Sequence, residues 1–379
     1  MVNSNANALG IIFPNAYDSY VPELVNDRLM ASIPFAGRYR MVDFVLSSMV
    51  TSGIDNISIL VRNNYHSLMD HLGSGREWDL TRKNGGLSIY PPYSEKGMKV
   101  YAGRVDGLAS ILPTLKDQKE KYVILADTNI AVNFDFKAML EAHIASGADV
   151  TVAYAKEEIP EAMMKNQDFS NLYFTFNMDG NHIKKIYINS EEKGVQNLSM
   201  NIYIMDREFL IKEITAAFVR GFVYFERDIL APNTDKFNIQ GYEFNGYKAR
   251  ICDMKSYFDE NMKLLKDENL DGLFAGNPIY TKVRDDNPTR YIAGAKGKNS
   301  LVADGCVIEG IVENCILFRG VKIEKGAKVK NCVLMQDTVV ECGANLEYVI
   351  TDKNVKVSVA QELHGTDSFP VYVAKGQIV

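Results

Sequence analysis

The sequence predicts an α/β domain with a doubly wound, mostly parallel sheet, followed by a parallel β-helix of the hexapeptide type. Two observations carry this. Over roughly the first 285 residues, short apolar runs alternate with helical patterns, as in strands joined by crossover helices. From about Ser300 the pattern changes to a six-residue repeat, the sign of stacked coils.

In the first part, "ALGIIF", "ISILV", "YVILA" and "VTVAYA" are rich in β-branched residues and lack strict alternation. Such runs are strands covered on both faces. Between them, "FDFKAMLEAHIASGAD" puts Met139, Leu140, His143 and Ile144 on one helix face, with Gly147 as the residue just past its end. Ligands of doubly wound sheets bind beyond the carboxyl ends of the strands. The loops after "IIF" and "VILA" are therefore where chemistry is expected. The first of them lacks glycine, with none from Ile11 to Ala36, although a phosphate-binding loop needs bare backbone close to the anion.

"NPIYTKVRDDNPTRY" carries two prolines and runs of charge and reads as a linker. The expected organisation is an α/β domain over 1–276, a linker over 277–299 and a β-helix over 300–379. In the last segment Val321, Ala327, Val333 and Val339 recur every six residues. Leu317, Ile323, Val329 and Met335 form a second series offset by two, and Gly320 and Gly326 keep the period. An antiparallel sheet would instead show period two and turn dipeptides. Hexapeptide acyltransferases use a histidine base on the repeats, but no histidine occurs between Ile183 and Leu363, which argues against acyl transfer.

With 46% hydrophobic and 24% charged residues, the composition is that of a globular protein. The net charge of −6 argues against nucleic acid as a partner. No apolar run approaches the roughly 20 residues a membrane helix needs, and no basic residue precedes the first apolar stretch, so neither a membrane anchor nor a signal peptide is expected. Five cysteines without a C-x-x-C read as core residues in a reducing cytoplasm rather than as disulfides or a zinc site.

The segments "IPFAGRYRMVDFVLSSMVTSGI", "REWDLTRKNGGLSIYPPY", "LSMNIYIM", "GYEFNGY", "SYFDENMKLL" and "VENCILFRGVKIEKGAKVKNCVLMQD" resemble the glucose-1-phosphate adenylyltransferases (ADP-glucose pyrophosphorylases) of bacterial glycogen synthesis. The resemblance runs from about residue 9 to 357. It implies a nucleotidyltransferase domain followed by a left-handed β-helix. It also implies attack of glucose 1-phosphate on the α-phosphorus of ATP, giving ADP-glucose and pyrophosphate. That chemistry needs a glycine-rich triphosphate cradle, cations for the leaving pyrophosphate and carboxylates for Mg²⁺.

Set against the family patterns, each of these elements is degraded here. The first loop, G-G-x-G-x-R-L in the family, becomes "NAYDSYV": Asn15, Ala16 and Asp18 fall on glycines and Tyr20 on the arginine. R-A-K-P-A-V becomes "RLMASI", keeping Arg28 and putting Met30 at the lysine. At the metal aspartate of L-S-G-D-H stands Thr128, with Asp127 one position earlier and able to enter the site on a one-residue shift. D-F-G-K-D becomes "YFERD", with Tyr224 at the second metal aspartate and Asp228 retained, and Arg250 replaces the aspartate of W-x-D-V-G-T. Loss of one transition-state stabiliser costs about 3–4 kcal/mol, so a competent site is not expected, nor is a cofactor bound by this chain. The pattern resembles the degenerate second subunit of such enzymes, the GlgD type. That likeness implies a heterotetramer with a catalytic paralogue, to which the Mg²⁺ requirement would belong.

Some positions match what the family uses for ligands. Glu192 and Lys193 match its sugar-phosphate segment, although Gly194 and Asn201 replace a proline and a glycine. Arg28, Arg38 and Arg40 lie in the segment that supplies cations to a site for phosphorylated activators between the two domains, which makes a phosphorylated sugar the expected effector. His66 and His71 are five apart, wrong for a helical metal pair. His143 and Trp78 read as packing residues. Two alternatives remain beside the regulatory subunit: a weak adenylyltransferase in its own right, and a stand-alone sugar-phosphate sensor.

Overall fold

Alternate residues of the first strand face two different hydrophobic cores: Ala8 and Ile12 one, Leu9, Ile11 and Phe13 the other. This explains why its sequence is apolar throughout. The computed structural model describes residues 6–94, 97–98, 101–165 and 172–379. Its central sheet has nine strands, labelled β1 Ala8–Phe13, β2 Asn56–Leu60, β3 Gly86–Tyr90, β4 Tyr122–Asp127, β5 Val150–Glu158, β6 Phe174–Asp179, β7 His182–Ile188, β8 Val195–Asp206 and β9 Ile239–Glu243.

The doubly wound, parallel part is β3-β2-β1-β4. Beyond β4 the pairings turn antiparallel, β8 with β4 and β5, and β6 with β7, although β5 and β9 are parallel. The change has a local cause. The connection from β6 to β7 is a turn at Gly180 and Asn181, with Gly180 at φ +59°. It makes a hairpin where the earlier strands use crossover helices.

Helices Met41–Thr51 and Phe136–Ser146 cover one face of the sheet. Helices Arg104–Ser110 and Arg207–Val219 cover the other. At Gly10 on β1 the bare backbone leaves room for the Met49 side chain, whose Sδ would lie 2.7 Å from a Cβ there.

The C-terminal domain is a left-handed β-helix of three five-stranded parallel sheets. One full coil takes 17 residues over most of its length, as in Lys322↔Val339↔Lys356 and Val312↔Val329. Three steps of six would give eighteen. The missing residue is at the corner occupied by Asn299, Asn314, Asn331 and Tyr348, all at positive φ. The six-residue series therefore slips there. Cys332 and Leu334 fill the coil interior, while Val333 and Met335, expected as repeat positions, point outward. Val339 is only half-buried, and Val340 takes the interior place.

The outward face, with Ile316, Phe318, Val333, Met335 and Ile350, packs on Phe35, Phe44, Tyr257 and Phe258 in one core shared by the two domains. Strands Arg290–Tyr291 and Lys296–Lys298 pair with later coils, so the β-helix begins inside the stretch 277–299 expected as linker. Its first coil carries exposed charges, which made it look unstructured. Cys252, Cys306, Cys315 and Cys332 are buried free thiols and Cys342 is an exposed one. Among the described residues no helix is long and apolar enough to cross a membrane.

Candidate functional site

Strands β1 and β4 end side by side at Phe13 and Asp127, and the loop Pro14–Val21 leaves from the first. This loop is tied by its own polar groups. Asp18 accepts the Met30 backbone N–H at 2.7 Å and the Asn15 amide at 2.8 Å, and Asn15 Oδ1 accepts the Arg62 backbone N–H at 2.8 Å. Burial lifts the Asp18 carboxyl to about 6. Tyr17, at φ +65°, stacks on Tyr20 with ring centroids 5.0 Å apart. The Tyr17 hydroxyl donates to the Leu172 carbonyl and accepts from Asn201 Nδ2, both at 2.8 Å. Tyr20 and Met30 are buried in the shared core. Tyr20 thus stands where the family has a cation, and Asn15, Ala16 and Asp18 where it has glycines.

Of the neighbours Asp127 and Thr128, Asp127 is the one that reaches Arg104, a residue of the cavity wall. The Thr128 hydroxyl lies 3.5 Å from the Pro14 carbonyl. Asp127 forms an ion pair with Arg104, whose guanidinium also pairs with Glu226. Arg104 lies against the rings of Phe13 and Tyr203, 5.1 and 5.5 Å from their centroids. Burial opposes its charge, but the two carboxylates outweigh this and hold it above its ordinary value. Burial pushes Asp127 up to about 7, with Arg104 working against and Glu226 adding to the rise.

Glu226 and Arg104 were not singled out in the sequence. Glu226 lies two residues after Tyr224 in "YFERD", and only folding shows that it faces Asp127. Tyr224 lines the same cavity and stacks on Arg227. Asp228 accepts the backbone N–H groups of Val223 and Tyr224. Arg250 is committed to Glu157 at 2.8 Å and the Ser199 carbonyl at 3.0 Å.

The remaining cavity is about 100 Å³, against the 300 Å³ or more typical of a ligand pocket. The Mg²⁺ that the resemblance implies does not fit these residues, because the Arg104 guanidinium already occupies the space between the two facing carboxylates. Among the described residues no cluster of three or more His, Cys, Asp or Glu could hold a metal. Glu192 and Lys193 sit exposed on the loop between β7 and β8, outside this cavity.

A second, larger cavity of about 540 Å³ lies between the two domains. It is lined by Arg28, Arg38, Arg40, Lys282, Arg284, Arg319, Lys353 and Lys375 against only Asp27 and Asp70, a strong excess of positive charge. Arg40 donates to the Ser67 carbonyl at 2.6 Å, and burial lowers it to about 10. Arg38 is half-exposed and 3.8 Å from Asp304. Arg28 is committed, since it clamps Asp352.

Two cations from the β-helix, unmarked in the sequence reading, carry more free capacity. Arg319 is buried; Nη1 donates to the Lys282 carbonyl at 3.2 Å and Nε lies 3.9 Å from Asp286 Oδ2, but Nε and Nη2 lack hydrogen-bond partners. Burial, then Arg40 and Arg28, depress Lys353 to about 7. Unpaired buried donors of this kind are costly and suit an anion with several oxygens. His66 and His71 line this cleft too, and His71 is bound to Asp43 at 2.6 Å and flanks Trp78. His143 is held by Thr151 at 2.8 Å, and Trp78 is buried with its N–H on Ser47.

Comparison with known proteins agrees with this architecture. Residues 24–163 match the Nucleotidyl transferase family model, and 285–368 match the GlmU-like, C-terminal hexapeptide model. The glycogen biosynthesis protein GlgD of Bacillus subtilis is 37% identical over 376 residues, covering 99% of this chain and 97% of that protein. GlgD of Geobacillus stearothermophilus is 35% identical over 86% of this chain and 83% of that protein. A glucose-1-phosphate adenylyltransferase of Bacillus mycoides is 32% identical over 82% of each chain.

Proposed function

This chain belongs to the family of glycogen biosynthesis protein GlgD and glucose-1-phosphate adenylyltransferase, and we propose that it acts there as a regulatory subunit. It does not itself transfer adenylyl groups. It modulates a catalytic paralogue that makes ADP-glucose for glycogen synthesis in the cytoplasm, within a heterotetramer, and the Mg²⁺ requirement rests with that partner.

The observation that carries this reading is the contrast between the two cavities. The one at the strand ends is small, walled by Tyr17 and occupied at its carboxylates by Arg104. The one between the domains is open and cationic. A phosphorylated sugar there would touch Arg38 and Arg40 from the first domain and Arg319 and Lys353 from the second. It would favour the domain arrangement that brings these groups together, and that preference is what a partner subunit can sense.

The test is co-expression with the catalytic paralogue and assay of pyrophosphate release with and without this chain, across a series of sugar phosphates. A change in the partner's rate, affinity or activator response is expected. An unchanged partner would reject the reading. Weak catalysis by this chain alone draws on one observation, that Asp127 lies behind the strand-end cavity, paired with Arg104 of its wall. Mg²⁺-dependent pyrophosphate release by the purified chain, lost in Asp127→Ala, would establish it. A stand-alone sensor would bind sugar phosphates by calorimetry yet stay unpartnered when the paralogue is present.

A further inference from the structure

The guanidinium of Arg104 is the sole cation the structure places between Asp127 and Glu226 among the described residues. It enters from the first residue of helix Arg104–Ser110, packed between the faces of Phe13 and Tyr203. The chain passes close behind it at Gly103, where a Cβ would fall 2.4 Å from the Val223 carbonyl oxygen. Backbone contact therefore fixes the root of Arg104, and aromatic faces fix its head. One oxygen of Asp127, Oδ1, is buried with no hydrogen-bond partner. Two carboxylates against one guanidinium leave one negative charge over, which a divalent cation would balance and an arginine does not.

We propose that Arg104 is a built-in cation that stands in the place of a divalent metal, so that Asp127 and Glu226 form a latent metal site which opens only when that guanidinium is removed. The inference rests on the reading of this chain as non-catalytic and gives it a residue-level cause. Oxygen donors of this kind select Mg²⁺ or Mn²⁺ over softer ions.

Mn²⁺ is the probe, because its free ion is counted directly by electron paramagnetic resonance. The full-length chain is titrated without any partner, so the outcome is independent of whether it regulates one. Wild type is expected to leave the free Mn²⁺ signal as in buffer. Arg104→Gln is expected to take up about one Mn²⁺ per chain and to melt roughly 1–3 °C higher at saturating metal. Arg104→Gln with Asp127→Asn is expected to lose both effects. Uptake by wild type that disappears in Asp127→Asn overturns the proposal, as does a folded Arg104→Gln that binds none. If Arg104→Gln does not fold in buffer, refolding with Mn²⁺ decides: recovery supports the latent site, and equal failure with and without the ion overturns it.

Discussion

Arg28 and Asp352 join the two domains through a bidentate pair. One terminal nitrogen of the guanidinium lies 2.7 and 2.8 Å from the two carboxylate oxygens, with both side chains almost fully buried. The Tyr372 hydroxyl lies 3.0 Å from both Asp352 Oδ2 and the Glu23 carbonyl, either of which can accept its one proton. Removing one partner of a buried pair leaves the other charge stranded. Asp352→Ala is expected to destabilise by about 3–5 kcal/mol in urea unfolding. Adding Arg28→Met should restore much of that loss. If the double variant is no better than the single, the cost lies in packing rather than in a stranded charge.

A second prediction concerns the tyrosine at the strand ends. The Tyr17 hydroxyl serves the Leu172 carbonyl and the Asn201 amide together. Tyr17→Phe keeps the ring and its stacking on Tyr20 but leaves two buried polar groups unpaired. It is expected to cost about 1–3 kcal/mol by equilibrium unfolding. A cost near zero would mean the hydroxyl's partners are satisfied by water.

The pH dependence of stability follows from Asp18. Burial raises it to about 6, above its unfolded value of about 3.9. The folded chain then holds a proton that the unfolded chain has released, so this contribution is full at low pH and is lost as pH rises through about 6. Asp127, raised to about 7, acts with the same sign. Asp18→Asn should lose less stability between pH 5 and 7.5 than wild type does, measured by urea midpoints. An unchanged slope would assign the effect to other groups.

The sequence made the two domains and the decay of the nucleotide loop legible, because these depend on local pattern: apolar runs, missing glycines and a repeat. It could not show that the repeat slips at Asn314 and Asn331, since a five-residue corner is set by backbone conformation. Nor could it show that Asp127 meets Arg104, or that Glu226 and Arg104 meet across 122 residues. The cationic cleft was half visible. Arg38 and Arg40 sit in one recognisable segment, but Arg319 and Lys353 come from β-helix coils, where an isolated basic residue looks like any exposed face. Arg28, expected to meet an effector, lines the cleft and also pairs across the two domains with Asp352.

That division of labour leads to a last prediction, on anion binding in the interdomain cleft. Lys353, with its ammonium depressed to about 7 mainly by burial and then by Arg40 and Arg28, is only partly charged at neutral pH when the cleft is empty. A phosphorylated ligand favours the charged form, so binding takes up a proton. Affinity for a hexose bisphosphate, followed by calorimetry, is expected to fall as pH rises from 6 to 8, approaching tenfold per pH unit at the upper end. Running the titration in buffers of different ionisation enthalpy counts the proton. Lys353→Met should flatten this pH dependence while lowering affinity at pH 6. Arg319→Ala should lower affinity about 10–100-fold at every pH, because a guanidinium hydrogen bond of about 1.5–3 kcal/mol is lost without a titrating group. A pH profile that stays steep in Lys353→Met would move the proton to another group, with His66 the first to test, since it lines the same cleft.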